Sequence, residues 1–147
     1  MKILKIWIFT LGGQQLFFKE YERMEPSDNL VANLLNTGVI SSFLTFFNNY
    51  LMKRLCNVML FGDIVFNFDY SLGNALKNII LVITRIDLKF DLEVQLKVLQ
   101  RVARKIGEDF HECYKEVFEH LQHNLNGFTP FGDRCDEIIR EMAGQFS

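Results

Sequence analysis

Proline is scarce, with two among 147 residues, and so is any excess of charge: 16 Lys and Arg face 18 Asp and Glu, a net charge of −2. The first scarcity excludes proline-rich linkers and stalks. The second excludes the basic stripe that a phosphate backbone requires, so nucleic acid is not an expected partner. Cysteine is confined to Cys56, Cys113 and Cys135, an odd number without framework spacing. These read as reduced thiols in a reducing, cytoplasmic compartment. No apolar run reaches the roughly 18–20 residues that crossing a bilayer demands, and no Asn-x-Ser/Thr acceptor occurs. Lys2 precedes an apolar stretch, but Lys5 interrupts it and no small-residue cleavage site follows, so residues 1–11 are expected to form a strand and not a secretory signal.

What is abundant is apolar. Hydrophobic residues make up 49% and charged residues 23%, the profile of a folded globule. One domain spanning 1–147 is expected, burying about 68–70% of its unfolded surface. Fifteen Phe, four Tyr and one Trp supply more aromatic area than a single core readily hides.

Leu4, Ile6 and Ile8 alternate with Lys5, Trp7 and Phe9, the period of a strand. Leu11-Gly12-Gly13-Gln14 supplies a tight turn, and Gln15 to Tyr21 a second strand. Pro26-Ser27-Asp28 marks a helix start. Leu30, Val31, Leu34, Leu35, Val39, Phe43, Phe46, Phe47, Tyr50 and Leu51 then recur at helical spacing over about Asp28 to Lys53. Val58 to Phe61, a Gly62-Asp63 turn, and Ile64, Phe66, Phe68 and Tyr70 predict a second hairpin. The nearly continuous apolar run Asn78 to Ile86 suits a strand in the middle of a sheet. Leu99, Val102, Ala103, Ile106, Phe110, Cys113, Tyr114, Val117, Phe118 and Leu121 stripe a helix from about Asp91 to Gln122, with Gly107 as a candidate kink. Phe131, Cys135, Ile138, Ile139 and Met142 close the chain with a short helix.

The order β-β-α-β-β-β-α-α resembles the longin domain. The residues that carry the resemblance are the opening Ile6-Trp7-Ile8-Phe9-Thr10-Leu11-Gly12-Gly13 and Leu30-Val31-Ala32-Asn33-Leu34-Leu35, leading to Ser41-Ser42-Phe43. Phe61-Gly62-Asp63 with Phe66-Asn67-Phe68, Leu81-Val82-Ile83-Thr84 and the closing Phe131 with Ile138-Ile139 continue it. The resemblance covers essentially the whole chain, on fold residues and not a catalytic signature. It implies an α+β fold of profilin-like architecture: a five-stranded antiparallel sheet with one helix on one face and two on the other. It also implies a non-catalytic protein-interaction module acting in vesicle trafficking and small Ras-like GTPase regulation, pairing with itself or with another longin or roadblock domain. Small subunits of vesicle adaptor or tethering complexes share that size and order, and form the alternative within the fold.

Residues with chemical potential each have a plainer reading. Gly12-Gly13-Gln14 is similar to GTPase switch residues, but no G-x-x-x-x-G-K-[ST] loop exists to cradle phosphates, which leaves a hairpin turn. His120 and His123, with Glu116, His111 and Cys113, have partial metal-ligand spacing; a solvated helix face explains them better, and no metal or cofactor is expected. Cys113 and Cys135 occupy apolar helix positions, as small hydrophobes do. Asp133, Asp136 and Glu137 lie near a helix start, where the dipole favours acids. No catalytic residue emerges, and a small-molecule binder or enzyme using a pocket between sheet and helices is the reading from a different class.

The aromatic surplus points elsewhere. Leu44, Phe46 and Phe47 cannot all face one sheet along with Phe43 and Tyr50, and a helix apolar over more than one stripe is usually buried on two sides. Phe43, Phe46, Phe47 and Tyr50 are therefore the expected protein interface. Trp7 and Phe9 are expected to join it by strand addition if their strand is peripheral. Any membrane association is expected to run through partners.

Overall fold

The computed structural model describes residues 1–10, 15–22, 58–71, 78–119 and 130–144. Period-two segments form β1 (Lys2–Thr10), β2 (Gln15–Glu20), β3 (Val58–Phe61), β4 (Ile64–Ser71) and β5 (Asn78–Arg85). Helical stripes form α1 (Leu92–Glu119) and α2 (Phe131–Ala143). The strands make one five-stranded sheet in the order β2-β1-β5-β4-β3, antiparallel throughout. The long apolar run takes the centre, as its composition predicts, and residues 78–84 are all buried. Between β3 and β4 the chain reverses at Gly62-Asp63, with Gly62 at φ 64°, the left-handed conformation that a two-residue hairpin turn requires.

The alternation sorts side chains onto two faces. Ile6, Ile8, Val65, Ile80 and Val82 pack with Val98, Leu99, Val102, Ala103, Ile106 and Phe110 of α1 and with Phe131, Cys135 and Ile138 of α2. Both helices therefore lie on this face. The other face gathers Leu4, Trp7, Phe9, Ile64, Phe66, Phe68, Ile79, Leu81 and Ile83 into a second buried cluster. The helix expected over Asp28–Lys53, and with it the single helix expected on one face of the sheet, lies outside the described residues, as do the Gly12-Gly13 turn, Cys56, His120 and His123.

Two expectations from periodicity need correction. Leu4 does not share a face with Ile6 and Ile8 but joins Trp7 and Phe9. The register of β1 against β5 slips between Ile3 and Lys5, and such a bulge turns consecutive residues to one side. A similar slip between β1 and β2 lets the consecutive Leu16 and Phe17 both enter the helix-side core. Cys113, placed in the apolar stripe by its spacing, is exposed. A helix of 28 residues runs about 42 Å at ~1.5 Å per residue, whereas an eight-residue strand runs about 26 Å, so α1 outreaches the sheet.

Gly107 does not break α1, which continues through it. A Cβ there would stand 3.0 Å from Ile80 Cδ1, so glycine marks a close approach of helix to sheet. The same crossing half-buries Asp69, whose pKa is raised by desolvation; Glu108 adds to the rise and Arg104 opposes it. A carboxyl with a raised folded pKa loses stability as pH climbs from its unfolded value through the folded one. Asp69→Asn is therefore expected to raise the melting temperature at pH 7, with the gain fading toward about pH 3, where both states are protonated. Melting curves at the two pH values check this; an equal gain at both would refute it.

Candidate interaction surface

Trp7 and Phe9 lie on β1, which is paired on both sides, by β2 and by β5. They are only 7% and 5% exposed, so the condition for strand addition through them is not met. The Trp7 indole N–H donates to Gln15 Oε1 at 3.1 Å, and its ring lies 4.7 Å from that of Phe18 on the flanking strand. Phe43, Phe46, Phe47 and Tyr50 lie outside the described residues.

Among the described residues, Phe18 and Leu60 are exposed singly, and exposed apolar side chains gather where β5 passes into α1. Leu88 is 83% exposed, Phe90 43%, Leu92 41% and Val94 47%. Large apolar side chains in solvent are individually unremarkable, but four in seven residues make this segment a candidate interaction surface. The scaffold is built around Gln95, which is buried. Its Oε1 accepts from the Asp87 amide at 3.0 Å, and its Nε2 donates to the carbonyls of Asp87 at 2.8 Å and Phe90 at 3.1 Å. Asp87 Oδ1 accepts from the Lys89 amide at 2.9 Å, while Asp91 caps α1 by accepting from the Val94 amide at 3.0 Å. The backbone polar groups are thus satisfied inside the turn, and the apolar side chains face outward. Sequence reasoning passed over this segment, although Asp87-Leu88-Lys89-Phe90-Asp91-Leu92-Glu93-Val94 alternates charged and apolar residues across a strand-to-helix junction.

A second polar constellation joins β2 to α2. Lys19 Nζ donates to both oxygens of Asp136, at 2.8 and 2.9 Å, and to the Gly132 carbonyl at 3.2 Å. The Tyr21 hydroxyl donates to Asp136 Oδ1 at 2.6 Å. Burial, then the hydrogen bond to Asp136, raise the Tyr21 pKa. Burial works to raise that of Asp136, but the hydrogen bonds from Lys19 and Tyr21 prevail and lower it. Beside them the Cys135 thiol is pushed up to about 12, chiefly by burial. A carboxylate accepting three hydrogen bonds is no free base, and a thiol protonated at neutral pH is no nucleophile. The group acts as a clamp. A carboxylate with a depressed pKa contributes stability above its unfolded pKa and loses it as pH falls through the folded value. Asp136→Asn is accordingly expected to lower the melting temperature at pH 7 and to flatten its fall between pH 5 and about pH 2. An unchanged acid transition would refute that assignment.

No protein-family model matches the chain, and no curated protein matches its sequence. Function therefore rests on the site itself. Among the described residues no cluster of three or more His, Cys, Asp and Glu is placed to hold a metal, and no helix is long and apolar enough to cross a membrane.

Proposed function

We propose that the chain is a longin-like, non-catalytic protein-interaction module that dimerises and binds or regulates a small Ras-like GTPase in membrane-traffic processes. The observation that carries the interaction role is the Gln95-bound turn, which presents Leu88, Phe90, Leu92 and Val94 to solvent. A buried amide spent on fixing an exposed apolar turn lowers the entropic cost of docking it on a partner. The longin-like reading draws support from the five-stranded antiparallel sheet with β5 at its centre and two helices closing the chain. The GTPase and membrane-traffic parts rest on the resemblance of the sequence alone.

The test is capture from a lysate of the source organism, with small GTPases loaded once with GDP and once with a non-hydrolysable GTP analogue. Recovery of a GTPase in one nucleotide state, lost on Leu88→Asp, supports the proposal. A constant set of other subunits in both states moves the assignment to an adaptor or tethering complex. One observation favours a small-molecule reading: a cleft of about 640 Å³ beside the clamp, lined by Ile3, Tyr21, Asp136, Ile139 and Arg140 among others. Stabilisation by a metabolite in a thermal-shift panel, abolished by Ile139→Trp, would favour it.

A further inference from the structure

Among the described residues β2 has one neighbour in the sheet, β1, and so forms an edge. The Tyr21 amide donates to the Leu4 carbonyl at 2.8 Å. Hydrogen-bonded pairs alternate along an antiparallel ladder, so with Ile6 opposite Lys19 and Ile8 opposite Phe17, the backbones of Phe17, Lys19 and Tyr21 bond to β1. The amides and carbonyls of Phe18 and Glu20 therefore point away from it. Such an edge takes an extended backbone laid alongside it.

At this edge opens the cleft of about 640 Å³, which runs from Glu20 to Ile3, Ile139, Arg140 and Ala143. We propose that β2 and the cleft bind an extended segment of another protein by strand addition, with an apolar side chain in the cleft and an acidic one at Arg140. Side chains of an added strand alternate between the faces of the sheet, so every second one turns to the side on which α2 lies. There Ile3, Ile139 and Ala143 supply an apolar lining. The acidic preference follows from the charges. Lys19 is engaged with Asp136 at 2.8 Å, and Glu20 with Lys5 at 3.2 Å. Among the side chains lining the cleft, the charge outside these pairs is that of Arg140, which is exposed on α2. An apolar residue and an acid two positions apart therefore match the cleft. This surface is separate from the Gln95-bound turn and does not depend on the role of that turn.

The test is selection of a displayed library of random seven-residue peptides on the full chain, followed by fluorescence anisotropy of the enriched peptide. Enrichment of an apolar residue two positions from Asp or Glu is expected. Ile139→Trp, which fills the cleft, and Arg140→Glu should each raise Kd at least about tenfold. Lysine in place of the peptide acid should recover the Arg140→Glu loss, and Leu88→Asp should change nothing. Strand addition has its own signature. Methylating the alternate peptide nitrogens that face β2 should weaken binding at least about tenfold, while methylating the intervening ones should not. Glu20→Pro removes an outward N–H and no bond to β1, so it should weaken the peptide with circular dichroism unchanged; if that variant unfolds, the methylated peptides decide alone. No enriched sequence, or binding indifferent to which nitrogens are methylated, overturns the proposal. A metabolite that stabilises the chain through Ile139, with no peptide selected, overturns it too and assigns the cleft to a small molecule.

Discussion

Gln95→Leu is expected to destabilise the chain by about 2–3 kcal/mol, although it keeps the buried volume and removes no apolar contact. Leucine can neither accept from the Asp87 amide nor donate to the Asp87 and Phe90 carbonyls, the three bonds that Gln95 makes at 2.8–3.1 Å. Leaving such groups without partners costs more than a hydrogen bond usually contributes, because their water was already given up on folding. The deciding quantity is how far water re-enters the turn. Gln95 is 1% exposed, which argues for little re-entry. Urea unfolding measures the loss, and amide exchange at Asp87 reports whether the turn opens first. A loss below about 0.5 kcal/mol would mean that solvent replaces the bonds and that the turn is not held by Gln95.

Phe110→Ala is expected to cost about 3–5 kcal/mol, a large share of the roughly 5–15 kcal/mol typical of a domain. The side chain is fully buried. Its ring stands 5.2 Å from Phe131 of α2 in an edge-to-face arrangement and 5.0 Å from Tyr114, and Phe131 in turn meets Phe17 of β2 at 5.5 Å. Removing it opens a cavity where α1, α2 and the β2 edge of the sheet converge, so no single neighbour can collapse to fill it. Leu60→Ala, at a side chain 50% exposed, serves as the contrast and should cost less than about 1 kcal/mol. Comparable losses at the two positions would show that the aromatic junction is not what joins α2 to the sheet. Protection of α2 amides should fall selectively in the Phe110 variant, since that helix loses the ring that packs its Phe131 against α1.

Several features were legible in the chain itself. Alternating side chains defined β1 and β4, the unbroken apolar run of β5 announced a strand covered on both faces, and Gly62-Asp63 set the hairpin between β3 and β4. The spacing of Leu99, Val102, Ile106 and Phe110 gave the buried stripe of α1, and that of Phe131, Cys135 and Ile138 the inner side of α2. These are local properties. A period of two or of 3.6 states which residues share a side of one element, and it survives whatever lies opposite.

What lies opposite was decided by tertiary structure. Asp136 reads in sequence as an acid near a helix start; it becomes a clamp because Lys19, 117 residues away, arrives on the neighbouring β2. Leu4 changed faces because a bulge shifted its register, and Cys113 stayed exposed because α1 is longer than the sheet it crosses. β1 gained a partner strand on each side, and Trp7 and Phe9 were buried in the cluster on one face of the sheet. Among the described residues, the apolar side chains on view include Leu88, Phe90, Leu92 and Val94, since the turn that carries them folds inward on Gln95 and leaves their side chains outside. Hydrophobicity is written residue by residue, whereas exposure is a relation between elements distant in the chain, and only the packed molecule sets it.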